Sequence, residues 1–227
     1  MLSACSSSRE AAGLPVPRTE IVRYDPQDLF PTLDGEMYGD GFPLDDLRAA
    51  CERIGFPVFL RTDLSSAKHT GKRAWLVENQ DGLIQSVFAT FEDNELKWLG
   101  GATQAFLLRE YLPLKHSFRS FRGLPIARER RFFVDQEGVL CSHPYWPEDA
   151  FERQRGLPDG WQAQLVELSE LPKADEMDLL QSLSRKAVLA IGQGSWSVDW
   201  AQDVAGKWWL IDMAAAADSW HPDCQWK

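Results

Sequence analysis

Trp196-Ser197-Val198-Asp199-Trp200-Ala201, then Gln202 to Lys207, then Trp208-Trp209-Leu210-Ile211-Asp212-Met213, is the stretch on which the reading of this chain turns. Both halves are rich in aromatic and branched residues, and Asp203 and Gly206 between them are turn formers, so the stretch reads as a β-hairpin. A loop of Asp203 to Gly206 would set Gln202 opposite Lys207 and Asp199 opposite Leu210. In that register Asp199 and Asp212 share one face as diagonal neighbours, roughly 7 Å apart at the backbone. Carboxylates that close repel unless a cation lies between them. Mg²⁺ suits the gap, because it takes one or two carboxylates and leaves its other positions to water and phosphate oxygens. A solvated outer face, each Asp in water, fits the spacing equally well. A loop one residue longer or shorter would put the two on opposite faces.

At 227 residues the chain can bury a large core, and its ten Trp mark a folded protein. The formal charge of −10 argues against a protein that coats nucleic acid, though a local basic pocket stays compatible with it. Cys5, Cys51, Cys141 and Cys224 lie far apart with no CxxC pair, so neither a zinc site nor a disulfide framework is indicated. Scattered, reduced thiols fit the cytoplasm. Leu2-Ser3-Ala4-Cys5 has the look of a lipoprotein cleavage box, but no basic segment or apolar run precedes it. No run approaches the ~18 apolar residues of a membrane helix. A soluble protein is expected.

Residues 1–20 are Ser-rich and then Gly- and Pro-bearing, and read as a mobile lead-in. Tyr24 to Phe42, acidic and Gly-rich, reads as irregular. Pro43 to Gly55 has Pro at its start, Asp45-Asp46 at the positive end of the helix dipole and Gly55 as a stop, which predicts a helix. Phe56 to Arg61 is a strand running into Thr62-Asp63-Leu64-Ser65-Ser66-Ala67-Lys68. Backbone N–H groups, hydroxyls and a Lys in one loop can hold phosphate oxygens; an ordinary polar turn has the same composition. Ala105 to Leu112 reads as a buried strand ending at Pro113, and Ile126 to Val134 pairs across Asp135–Gly138 with Val139 to His143. A long helix from about Lys173 to Ile191, with a stripe of Met177, Leu180, Ala187 and Ile191, feeds the hairpin.

Arg119, Arg122, Arg128, Arg130 and Arg131 make a basic cluster in an acidic chain. Strand alternation puts Glu129, Arg131 and Phe133 on one face and Arg128 and Arg130 on the other. A surface ion pair is the plain explanation of Glu beside Arg; RNA binding lacks an aromatic stacking platform to support it.

In this order the pieces resemble the ATP-grasp superfamily, and within it a small clade of phage and bacterial ATP-grasp proteins related to eukaryotic assembly chaperones for a translation initiation factor. Four blocks between Pro57 and Asp218 carry the likeness. Phe59 to Lys68 resembles the strand and phosphate-facing Ser-Ser-x-Lys loop. Leu108 to Leu112 is similar to the hinge whose backbone contacts adenine. Glu129-Arg130-Arg131-Phe132-Phe133-Val134 resembles a Glu-x-Arg-x-Phe-Val strand. Ser197-Val198-Asp199 with Leu210-Ile211-Asp212 resembles the metal-binding strands.

The resemblance implies an α+β fold of two lobes with antiparallel sheets clasping ATP, the first over about 43–104 and the second over about 105–227, within one domain from residue 21. It places Arg61, Ser65, Ser66 and Lys68 on phosphates and Glu110, Tyr111, Leu112 and Glu129 around the nucleotide. Asp199 and Asp212 would hold Mg²⁺, with Arg131 and Lys68 stabilising the charge of the transferred phosphate. The implied activity is ATP- and Mg²⁺-dependent ligation of an unknown small-molecule, peptide or protein acceptor through an acylphosphate; the alternative is an ATP-binding assembly or interaction protein with little turnover. An ATP-dependent RNA-modifying enzyme is a more distant reading, resting on the Arg cluster alone. The family's usual Asn two residues after the final metal carboxylate is Ala214 here, with Asp218 as a possible substitute.

Overall fold

The computed structural model describes residues 13–66, 71–97 and 103–222, except the side chains of 73 and 97. These divide into two compact units: Pro17–Leu112 with Phe121–Leu124, and Pro113–Ser120 with 125–222 and the segment 13–16.

The first unit is built on a four-stranded sheet in the order β1-β4-β2-β3. Its strands are β1 (Thr19–Arg23), β2 (Val58–Thr62), β3 (Leu76–Val77) and β4 (Ala105–Glu110), every pair antiparallel. The run expected to be a lead-in therefore ends in an ordered strand, Thr19–Arg23, along the edge of β4. Helices α1 (Leu44–Ile54) and α2 (Leu83–Lys97) pack on one face of the sheet. Alternation along the strands explains why: Leu60, Phe106 and Leu108 point into that core with Leu47, Ile54, Val87 and Phe91. Helix α1 follows its capping signals, with Asp45 and Asp46 in its first turn and a stop at Gly55, whose φ of +86° suits glycine. Tyr24 to Phe42 includes two short helical pieces, a 3-10 helix at Pro26–Asp28 and a four-residue α-helix at Phe30–Leu33.

Strands β5 (His116–Ser120) and β6 (Leu124–Ala127), which belong to the second unit except for Leu124, make a two-stranded sheet. The main sheet runs β10-β9-β7-β8, from β7 (Glu129–Val134), β8 (Val139–Pro144), β9 (Trp196–Gln202) and β10 (Trp208–Ala215), again antiparallel throughout. Helices α3 (Trp161–Ser169) and α4 (Ala174–Ile191) precede β9. One face of the sheet is apolar: Phe132, Val134, Val198, Trp200, Leu210 and Met213 pack with Leu180, Ala187 and Val188 of α4. Three side-chain bonds fix the helix there. Trp200 Nε1 donates to Ser184 Oγ at 2.8 Å, and Trp208 Nε1 and Gln202 Nε2 each donate to Glu176 Oε1 at 3.2 Å.

The hairpin register differs from the one expected. Gln202 pairs with Trp208, not Lys207, and Leu210 pairs with Trp200, not Asp199. The connection is one residue longer because Asp203 caps it: Asp203 Oδ1 accepts from Ala205 N and Lys207 N, both at 2.9 Å, and Asp203 N donates to Lys207 O. A β-bulge between Leu210 and Asp212 then absorbs Ile211, so Asp212 pairs directly with Asp199.

Candidate functional site

Cross-strand pairing lines up four polar side chains across the second sheet. Asp212 is opposite Asp199, Asp199 opposite Arg131, and Arg131 opposite His143. Directly paired residues share a face, so all four stand on the side away from α4. The next row along is Ala214, Ser197, Phe133 and Cys141. Glu129 lies two residues before Arg131 on the same face.

Arg131 grips Asp199 with both arms of its fork, Nε to Oδ1 and Nη2 to Oδ2, each at 2.7 Å. Its Nη1 donates to the Trp220 carbonyl at 3.1 Å, and its guanidinium carbon lies 4.7 Å from the centre of the Tyr145 ring. The pair is buried, with side-chain exposures of 11% and 4%. Burial pulls the guanidinium's pKa down. The hydrogen bonds and charge of Asp199, with Tyr145 and Asp212 adding, outweigh it and hold Arg131 charged. The plain surface ion pair is thus replaced by a buried, bidentate one.

Asp212 Oδ1 accepts from Met213 N at 3.0 Å. Among the described residues no three His, Cys, Asp or Glu side chains converge to hold a metal, so the exposed Asp218 does not complete the set and Ala214 supplies no oxygen. Two carboxylates on neighbouring strands still fit Mg²⁺ of the kind that completes its shell with phosphate oxygens and water. The Arg131 fork takes one acceptor site on each Asp199 oxygen, so a cation there would either share Asp199 with the guanidinium or displace it.

Glu129 is buried, and its Oε1 accepts from Trp146 Nε1 at 3.2 Å. His143 was not singled out by the sequence, yet it is only 7% exposed. Its Nδ1 lies 2.7 Å from the Pro144 carbonyl, so that nitrogen carries the proton, and its Nε2 is buried with no hydrogen-bond partner among the described residues. Burial first, then the charges of Arg131, His221 and Arg130, push its pKa down to about 4 against the opposing Pro144 bond. The imidazole is neutral. The signal for it lay in the alternation Cys141-x-His143 opposite Arg131-x-Phe133.

In the first unit, Arg61 is buried on β2, on the face opposite Leu60, with Nε donating to Thr62 O at 3.3 Å. Its loop folds as a hydroxyl-capped turn: Thr62 Oγ1 accepts from Ser65 N at 2.9 Å and from Leu64 N at 3.2 Å. Ser65 and Ser66 are half-buried, and Lys68 lies outside the described residues. Glu110 ends β4 and accepts from Arg18 Nε at 2.6 Å, while Leu112 is buried. The Tyr111 ring lies 6.5 Å from that of Trp75, nearly parallel to it.

No protein-family profile matches the chain, and no curated sequence matches it. Solved structures do. Carboxyaminoimidazole ribonucleotide synthase from Aspergillus clavatus, complexed with ATP, aligns with a TM-score of 0.54 at 15% identity over 92% of this chain and 43% of its own. A RimK domain protein ATP-grasp from Sphaerobacter thermophilus aligns at 0.51 and 17% identity, over 95% of this chain and 59% of its own. The fold is ATP-grasp. The biotin carboxylase domain of the Hydrogenobacter thermophilus 2-oxoglutarate carboxylase, with MgADP and bicarbonate, aligns at 0.54 and 14% identity, over 92% and 38%. The chain spans roughly two-fifths to three-fifths of the length of these structures. Among the described residues, no helix is long and apolar enough to cross a membrane.

Proposed function

We propose that this chain is an ATP- and Mg²⁺-dependent ligase that joins a carboxylate to an amine or other nucleophile through an acylphosphate. The observation that supports it is the Asp212–Asp199–Arg131 row on the polar face of an ATP-grasp sheet. Asp199 and Asp212 would hold Mg²⁺, which supplies charge neutralisation for the phosphates when bound. Arg131 would move from Asp199 to the phosphoryl oxygens as negative charge spreads over them, the role cationic clamps take in phosphoryl transfer. Glu129, 7% exposed, is assigned to the nucleotide on the same face. In the first unit, Arg61, Ser65, Ser66 and Lys68 are assigned to phosphate oxygens, and the Glu110–Leu112 backbone to adenine. The acceptor is a small molecule, peptide or protein, not a nucleic acid, given the net charge of −10.

The test is incubation with ATP, Mg²⁺ and pools of amino acids, small carboxylates and peptides, with ADP and phosphate release measured. Acceptor-dependent release is the expected result. Nucleotide binding with no release from any pool would contradict ligation and favour an ATP-binding assembly protein.

A further inference from the structure

Residues 219–222 lie across the same polar face, and each of the first three touches it. Ser219 Oγ is 2.7 Å from Ser197 Oγ. The Trp220 carbonyl takes Nη1 of Arg131, and its ring meets His143 edge-on at 5.3 Å. His221 packs edge-on against Phe133 at 4.3 Å, and its Nε2 is 3.0 Å from Cys141 Sγ. These partners span both rows of the sheet. The Trp220 carbonyl and Asp199 together occupy three N–H directions of Arg131.

We propose that Ser219–Pro222 is an intramolecular latch, which holds Arg131 against Asp199 and is displaced when phosphate oxygens take the guanidinium. The inference rests on the reading of Arg131 as a phosphate ligand. Two features suit a latch better than a permanent wall. Trp220 keeps 46% of its surface in water, so its ring is only partly committed to the face it covers. Under the edge-on rings of Trp220 and His221, His143 Nε2 is buried with no hydrogen bond among the described residues, an arrangement that lifting those rings would relieve by letting water in. The closed state thus carries its own opposing force. A tripolyphosphate chain offers Arg131 the same bidentate, charge-assisted geometry that Asp199 offers.

Cys141 reports the latch, since His221 contacts its sulfur. The experiment is alkylation with N-ethylmaleimide, read peptide by peptide by mass spectrometry so that each cysteine is followed separately. Wild type and Trp220→Gly are compared without ligand, with Mg-ATP and with tripolyphosphate, while calorimetry reports binding independently. Ligand is expected to raise the Cys141 rate in wild type by about tenfold, the change for a closed population becoming mostly open. Trp220→Gly is expected to react at the raised rate without ligand and to bind tripolyphosphate more tightly. Measurable binding with an unchanged Cys141 rate overturns the latch. Silent calorimetry in both proteins defeats the phosphate reading of Arg131 instead. The ligand-free Trp220→Gly rate then decides the latch alone, and a rate equal to wild type overturns it.

Discussion

Asp212 stands directly opposite Asp199 because Ile211 bulges out of β10. The hairpin loop is one residue longer than the turn-forming residues suggest, a slip that would carry Asp212 to the α4 side of the sheet. The bulge takes up that residue. The apolar order is preserved on one side, with Leu210 and Met213 in the core, and the acidic order on the other. A local irregularity therefore places the two carboxylates that the proposed site requires.

Deleting Ile211 should consequently be tolerated. The shortened strand keeps Leu210 opposite Trp200 and Asp212 opposite Asp199 without a bulge, so folding and any Mg-ATP response should survive. Circular dichroism and a nucleotide-induced melting shift check this. A folded deletion that has lost the shift would show that the bulge aims Asp212 as well as positioning it.

The Arg131–Asp199 pair yields a sharper energetic expectation. Removing one partner leaves a buried charge unpaired, which costs roughly 3–5 kcal/mol. Arg131→Met and Asp199→Leu should each show that loss in urea denaturation. The double substitution should recover most of it, because no uncompensated charge remains. Equal and additive losses in the two single variants and the double would mean the residues act independently.

Much of this was readable in the chain. Asp45-Asp46 and Gly55 bound α1 as capping signals, and the Glu129-Arg131-Phe133 alternation gave the polar face of β7 directly. The hairpin register was not readable. Asp203 closes its loop through two side-chain bonds to backbone N–H groups, and a bulge later in the strand cancels the extra residue. Neither leaves a periodic mark. His143 escaped notice because strand position says only that it shares a face with Arg131. Its neutrality depends on burial by Trp220 and His221, residues far away in sequence.

His143 should make stability fall in mild acid. Its native pKa near 4 lies below the usual 6.5, so between those values the unfolded chain binds a proton that the native protein refuses. Stability attributable to it is complete above about pH 6.5 and declines as pH drops toward 4, by roughly 1–3 kcal/mol after allowing for solvent. Urea unfolding of wild type and His143→Phe at pH 7 and pH 4.5 measures it. The wild type should lose more stability than the variant over that interval; parallel losses would contradict a buried neutral imidazole.

Asp212→Asn tests the central claim most directly. Asp212 adds charge beside both Asp199 and Arg131, so repulsion removed and attraction lost should nearly cancel. The metal-free variant should melt within a few degrees of wild type. The decisive measurement is the melting temperature of both proteins with and without Mg-ATP. At nucleotide about 100-fold above Kd, binding adds roughly 2.7 kcal/mol, equivalent to about 5–10 °C for a chain of this size. The account predicts that shift in wild type and its near-complete loss in Asp212→Asn. A full shift in the variant would show that Asp212 holds no metal and that this face of the sheet is not the nucleotide site.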